Sequence, residues 1–251
     1  MSGHSKWATI KHKKGAADAR RGKIFTKLIK EITVSARIGG GDPDGNPRLR
    51  AAITAAKTEN MPADNIKRAI QKGTGELPGA TYEEAVYEGY GPGGVAMMLE
   101  VATDNKNRTI SEIRHILAKH GGNLGENGCV AWMFNKKGYV VVEKDKADEE
   151  KLLDLVMDAG ADDLSDDGSH WEIFTSPNSV QQVVERLKAE HITPALAEVS
   201  MVPQSYVKLS GKGAQQMLRL SEELEDHEDV QHVYANFDIA ESELHELAEA
   251  N

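Results

Sequence analysis

The sequence predicts an α+β multi-domain protein: a three-helix N-terminal domain followed by two ferredoxin-like α/β domains, one inserted in the other. Three observations carry this. Apolar residues recur at helical spacing over the first 80 residues and then give way to strands and helices in alternation. Glycine and proline clusters punctuate the change. The alternating part also contains the βαββαβ order twice, once contiguous and once split around it.

Residues 1–15 show no periodicity and read as an arm. Residues 16–38 read as a helix with Ile24, Phe25, Leu28, Ile29, Ile32 and Ala36 on one side. Arg20, Lys23, Lys27, Lys30 and Arg37 fall on the other, a basic face offered to an anionic partner. The breaker Gly39-Gly40-Gly41-Asp42-Pro43-Asp44-Gly45 ends it. Asn46 caps a second helix with Pro47 in its first turn, running to about Glu59 through Leu49, Ala52, Ile53 and Ala56. Pro62 opens a third through Ile66, Ala69 and Ile70, stopped by Gly73 and Gly75. The expected domain is 1–80.

Strands are expected at 94–103, 129–134, 138–143, 170–175, 195–202, 206–209 and 230–237. Helices fall between them through Ile110–Leu117, 148–159, Val180–Leu187 and Met217–Leu224. The inserted domain is placed at 137–203, and the split domain at 81–136 with 204–251.

The net charge of -10 conceals an uneven distribution. Residues 1–80 hold 16 Lys/Arg against 7 Asp/Glu, and the rest hold 14 against 33. In residues 1–30 nine cations face Asp18 alone. Such asymmetry suggests a polyanionic partner for the first part and a solvated surface for the second. The candidate contacts are Lys6, Trp7, Lys11, His12, Lys13, Lys14, Arg20, Arg21, Lys23, Lys27 and Lys30. Lysine and arginine neutralise phosphates and release counterions, while tryptophan can stack on an unpaired base. Trp7 could equally dock on the helical domain. The second and third helices could mimic a helix-turn-helix, although the usual glycine of the turn is missing.

Catalytic patterns do not assemble. Gly89-Tyr90-Gly91-Pro92-Gly93-Gly94 satisfies G-x-G-x-x-G but precedes a strand, whereas a dinucleotide site needs a helix there. Glu112 and His115 have metal-ligand spacing without the second pair that a dimetal site requires, so an ion-pairing helix surface is expected. Cys129 lies in an apolar strand and reads as packing. One cysteine also forms no internal disulfide, which suits a reducing compartment. No apolar run spans a bilayer, and no secretory signal fits the N-terminus. The expectation is a cytoplasmic, non-enzymatic protein with no cofactor, no metal and no membrane contact.

Several long motifs resemble the YebC family. They are Gly3-His4-Ser5-Lys6-Trp7-Ala8, Arg21-Gly22-Lys23-Ile24-Phe25-Thr26-Lys27, Asn46-Pro47-Arg48-Leu49-Arg50 and Asn60-Met61-Pro62-Ala63-Asp64-Asn65-Ile66. Further matches are Tyr87-Glu88-Gly89-Tyr90-Gly91-Pro92-Gly93-Gly94, Thr103-Asp104-Asn105-Lys106-Asn107-Arg108-Thr109, His120-Gly121-Gly122-Asn123-Leu124-Gly125 and Val130-Ala131-Trp132-Met133-Phe134. They span residues 3–138, and Thr9 and Gly15 depart from the Asn and Ala of the pattern. The resemblance implies a helical domain followed by two α/β domains, with no cofactor. It implies a DNA-binding transcriptional regulator by the family's label. The family's mitochondrial relative is a translational activator of cytochrome oxidase subunit I, and the alternative that the resemblance implies is a ribosome-associated, RNA-contacting factor that eases synthesis of difficult, proline-rich stretches. It carries nucleic-acid contact onto residues 1–30, with Asn105–Arg108 a weaker second candidate. A ligand-sensing role for the ferredoxin-like domains ranks last.

Overall fold

The structure, a computed structural model, describes residues 17–240 and 242–244. These divide into two compact units. One comprises residues 17–130 with 211–233, the other 131–210 with 234 onward.

In the first unit, α1 (Ala17–Gly39), α2 (Pro47–Thr58) and α3 (Ala63–Thr74) form the helical part. Asn46 caps α2 by accepting the Leu49 N–H at 3.1 Å, and its amide also donates to the Ser35 and Gly40 carbonyls. One side chain therefore ties the end of α1 to the start of α2. Ile32, Ala36, Leu49, Ala52, Ala56, Met61, Ile66 and Ala69 make the core. Each fully buried branched side chain contributes about 1.5–3 kcal/mol. The helix α3 continues through Gly73 and ends at Gly75, which takes the left-handed conformation at φ 83°. Gly73 is thus no stop. A Cβ there would lie 2.4 Å from the Thr33 carbonyl oxygen, so glycine lets α3 approach α1 closely.

The same unit contains β1 (Glu83–Tyr90), β2 (Ala96–Thr103), α4 (Lys106–Lys119), β3 (Asn123–Leu124), α7 (Gly211–Glu225) and the start of β9 (Val230–Ala235). The sheet order is β3-β1-β2-β9, with β1 antiparallel to both β2 and β3. Two expected strands of the split domain fall elsewhere. Residues 131–133 form a 3-10 turn, and the short strand after α4 is 123–124. Residues 206–209 do not join this sheet. Their place in the ferredoxin-like order is filled by β1, an earlier strand that pairs with β2 over eight residues. The split domain is a permuted version of the motif, its second central strand coming from before the first.

The second unit holds β4 (Phe134–Glu143), α5 (Glu149–Asp158), β5 (Ala161–Asp166), β6 (His170–Thr175), α6 (Val180–Ala189) and β7 (Leu196–Pro203). The order β5-β6-β4-β7, antiparallel throughout, is the ferredoxin-like arrangement in one contiguous stretch. Val140, Val142, Trp171 and Ile173 face the helices and pack with Leu152, Val156, Val183 and Leu187. The strand expected at 206–209 is β8 (Val207–Lys208), parallel to β10 (Phe237–Asp238).

Candidate nucleic-acid interface

Lysines recur on α1 at Lys23, Lys27 and Lys30, one helical turn apart, and all three reach the segment that follows α7. Lys23 pairs with Asp226 at 3.1 Å. Lys27 donates to the Glu225 carbonyl. Lys30 pairs with Asp229 at 2.5 Å, donates to the Glu228 carbonyl at 3.0 Å and lies 5.4 Å from the centre of the Tyr82 ring. Only 6% of Lys30 is exposed. Of the expected basic face, Lys23, Lys27 and Lys30 are thus engaged by the protein's own acids and carbonyls. From Lys30 to Ala36 every residue except the half-buried Glu31 is buried, so this stretch of α1 is covered all round, and exposure returns at Arg37 and Ile38.

Asp229, 2% exposed, gathers donors from four residues. Lys30 takes one carboxylate oxygen. Arg108 at 2.8 Å, Thr109 at 2.7 Å and Thr103 at 3.2 Å take the other. Burial pushes this carboxyl upward, but the bonds from Lys30, Thr109 and Arg108 outweigh it and hold the group well below the usual carboxylate range. A buried charge is tolerated when it is paired and hydrogen-bonded in this way.

An open cleft of about 930 Å³ lies above this network, its walls including Lys23, Tyr82, Arg108, His115 and Asp226. Glu112, His227 and Asp229 present donor atoms within 4.8 Å of one another there. They are committed to each other and to cations. His227 Nδ1 receives the Asp229 N–H at 3.1 Å, while Nε2 meets Glu112 at 3.0 Å. No imidazole lone pair remains for a metal in that tautomer. Glu112 pairs with His227 and lies 3.9 Å from Arg108, which is the ion-pairing role its position suggested.

The second candidate segment is also internally engaged. Asn105 caps α4, Lys106 pairs with Glu83 at 2.6 Å, and Arg108 bridges Asp104 and Asp229. Residues 89–94 are the end of β1 and the turn toward β2, with Gly93 and Gly94 at positive φ, and open no helix that could receive a pyrophosphate. Cys129 is half-buried, and burial with the nearby Glu88 pushes its thiol up, away from reactivity.

Of the remaining sequence-predicted contacts, Arg21 is exposed and has no partner among the described residues. Arg20 is placed in α1 by its backbone. Lys6, Trp7, Lys11, His12, Lys13 and Lys14 lie outside the described residues.

Sequence reasoning passed over other cations. Lys57 on α2 and Lys67, Arg68 and Lys72 on α3 are exposed and make no ion pair among the described residues. The helical spacing that places Ile66, Ala69 and Ile70 on the core side also places Arg68 and Lys72 away from it. That signal was present in the sequence, overshadowed by the denser charge of residues 1–30. The turn between α2 and α3 is tight, and Asn60 at φ 57° supplies the left-handed residue that a glycine would.

Comparison with known proteins agrees with this organisation. A family model described as the TACO1/YebC protein N-terminal domain matches residues 5–76, and one described as the TACO1/YebC second and third domain matches residues 82–237. A probable transcriptional regulatory protein of Acidobacterium capsulatum is 65% identical over 243 residues, covering 97% of this chain and 98% of its own. One of Koribacter versatilis is 62% identical over 248 residues, covering 99% and 100%. The crystal structure of a conserved hypothetical protein from Aquifex aeolicus superposes with a TM-score of 0.77 at 47% identity, covering 89% of this chain and 92% of that one. Helical domain, permuted sheet and inserted ferredoxin-like unit thus fall within the two matched regions, and the chain belongs to the TACO1/YebC family.

Proposed function

We propose that the chain is a non-enzymatic, nucleic-acid-binding regulator of gene expression acting in the cytoplasm. The contact is made by residues 1–15, Arg21 and the outer face of α2 and α3. The observation that carries this is the division of charge: a balance of +9 in residues 1–80 against -19 in the remainder. Within the first part, Lys57, Lys67, Arg68 and Lys72 stand exposed, while Lys30 is spent internally. The names of the relatives above support a regulatory role, with DNA as the first target to test.

One observation favours RNA and the ribosome as the second reading. The exposed cations of α2 and α3 are Lys57, Lys67, Lys72, Arg48, Arg50 and Arg68. Arg48 is taken up by Glu31 and Glu84, and Arg50 by the Pro43 and Asp44 carbonyls. Those left to meet phosphates are mostly lysines, point charges rather than bidentate readers of guanine. Binding of this kind depends steeply on salt and weakly on sequence. The experiment is a competition between a promoter fragment and scrambled duplex, run beside co-sedimentation with purified ribosomes. A preference of ~10³-fold for the promoter assigns DNA regulation. Ribosome pelleting that is lost when Lys67, Arg68 and Lys72 are reversed to Glu assigns the RNA-directed role. Binding to neither overturns the proposal.

A further inference from the structure

The second unit, taken by itself, has two outer strands that are guarded very differently. Its sheet runs β5-β6-β4-β7, which places β5 and β7 at the edges. An edge strand carries unpaired backbone groups and invites pairing with another chain unless charge or a bulge prevents it. On β5 both devices are present. Asp162, Asp163 and Asp166 are exposed along it, and its register with β6 slips between Ala161 and Asp163. On β7, Leu196-Ala197-Glu198-Val199-Ser200-Met201-Val202-Pro203, the one charge is Glu198, and the pairing with β4 is regular over all eight residues. Val199, in its middle, is 40% exposed, with Ala197 and Glu198 exposed beside it.

The phase of the β4–β7 ladder follows from its end. The Gln204 N–H donates to the Met133 carbonyl at 2.9 Å, one step past the pair of Pro203 with Phe134. Directly opposed residues of an antiparallel pair alternate between bonded and non-bonded. Leu196, Glu198, Ser200 and Val202 therefore turn their backbone groups to β4, while Ala197, Val199 and Met201 turn theirs outward. Pro203, with no N–H to give, falls in the outward set, where an edge strand tolerates proline. Among the described residues no other element hydrogen-bonds this edge. Three N–H and three carbonyl groups thus stand in a row, on a strand without the guards that β5 carries.

We infer that β7 pairs antiparallel with β7 of a second copy of this chain, about a twofold axis at Val199. The edge is complementary to itself in that register. Val199 meets Val199, and Ala197 meets Met201 on either side, so all three outward donors find acceptors. Centring the axis one residue earlier sets Glu198 against Glu198, and like charges directly opposed are unfavourable. Centring it one residue later sets Ala197 against Pro203, which has no N–H to return. With the axis at Val199, Glu198 lies opposite Ser200 of the second copy. Lys137 lies opposite Ser200 within each chain, so a cation comes next in that row on the same face. An isologous pair of this kind closes on itself and leaves no further edge to grow from β7. Two copies joined in this way carry two N-terminal domains, and the pairing goes beyond the nucleic-acid reading without depending on it.

The test is sedimentation of the full chain over a concentration series, in which the average mass rises from one chain toward two. Val199→Lys sets two lysines face to face at the axis and weakens association about 100-fold. Val199→Thr keeps a β-branched side chain and associates as the parent does. An unchanged thermal midpoint for each variant shows that folding is intact. Cysteine pairs read the register directly and decide the matter if Val199→Lys lowers that midpoint. Opposed residues of a bonded pair lie about 5.5 Å apart between Cα atoms, within disulfide range, so Val199→Cys links two chains on mild oxidation. Ala197→Cys does not link to itself but links to Met201→Cys when the two are mixed, and the parent, whose one thiol is Cys129, gives no linked dimer. A chain that stays monomeric at every concentration overturns the proposal. So does a dimer that a well-folded Val199→Lys leaves intact, or one in which Ala197→Cys links to itself and Val199→Cys does not.

Discussion

Lys30 and Lys72 are chemically the same residue on two helices of one small domain, yet they do opposite things. Lys30 is buried against Asp229 and Tyr82, and its charge is used to make a folded unit. Lys72 sits in the last turn of α3, exposed and without a carboxylate partner among the described residues. The difference teaches that cation density does not locate an interface. What matters is whether the fold brings acids to the cations, and α1 meets the segment 225–229 whereas α3 does not.

The comparison breaks most visibly at Lys30. Replacing it with Met leaves a buried carboxylate short of one of its cations, and the expected loss is about 3 kcal/mol or more in urea denaturation. Arg108 and the two threonines keep the cost toward the lower end of the range. The same change at Lys72 should stay within about 0.5 kcal/mol. A stable Lys30→Met chain that had lost nucleic-acid binding would reverse the comparison.

The converse experiment reverses Lys67, Arg68 and Lys72 to Glu. Stability should hardly change, while affinity for nucleic acid falls about 100-fold and the log-log salt slope drops by up to about 2.7, at roughly 0.9 per phosphate contact on duplex DNA. An unchanged slope would remove α3 from the interface.

Acid sharpens the contrast further. The folded-state pKa of Asp229 is depressed, so its contribution is complete above the unfolded value near 3.9 and is lost as pH falls from there toward the folded pKa. Urea midpoints measured from about pH 5 to pH 2 should decline in the parent chain and decline less steeply in Asp229→Asn. Equal slopes would mean that Lys30 and Arg108 contribute nothing through this carboxylate. The smallest effect is expected at Lys23, whose pair with Asp226 is half-exposed on both sides. Lys23→Ala should cost no more than about 0.5 kcal/mol.

Local rules carried much of the fold. Asn46 and Pro47 announce α2, the alternation of Val95, Met97, Leu99 and Val101 marks β2, and the contiguous ferredoxin-like unit could be read from strand and helix order. The failures are non-local. Glu83–Tyr90 is rich in Glu, Gly and Tyr and was not read as a strand. Its pairing with β2 is what excludes residues 206–209 from the sheet. Gly73 looked like a stop because its purpose, the close approach to Thr33, depends on a different helix. The candidate site was half legible for the same reason. Residues 1–30 are visibly cationic, but that Asp229 would meet Lys30 across 199 positions cannot be seen in either local segment.

That separation also sets an order of events. The inserted unit, β4 to β7, closes on residues 134–203 and has most of its partners nearby in sequence. The split unit cannot close until β9 has been made and returned to β2, so it carries the high contact order and the slower step. A chain emerging from the N-terminus therefore spends most of its synthesis with Lys23, Lys27 and Lys30 unanswered, as a cationic helix without its acids. Refolding should show protection of amides in 134–203 before those of β2. A nascent chain halted before residue 225 should hold polyanions more tightly than the finished protein does.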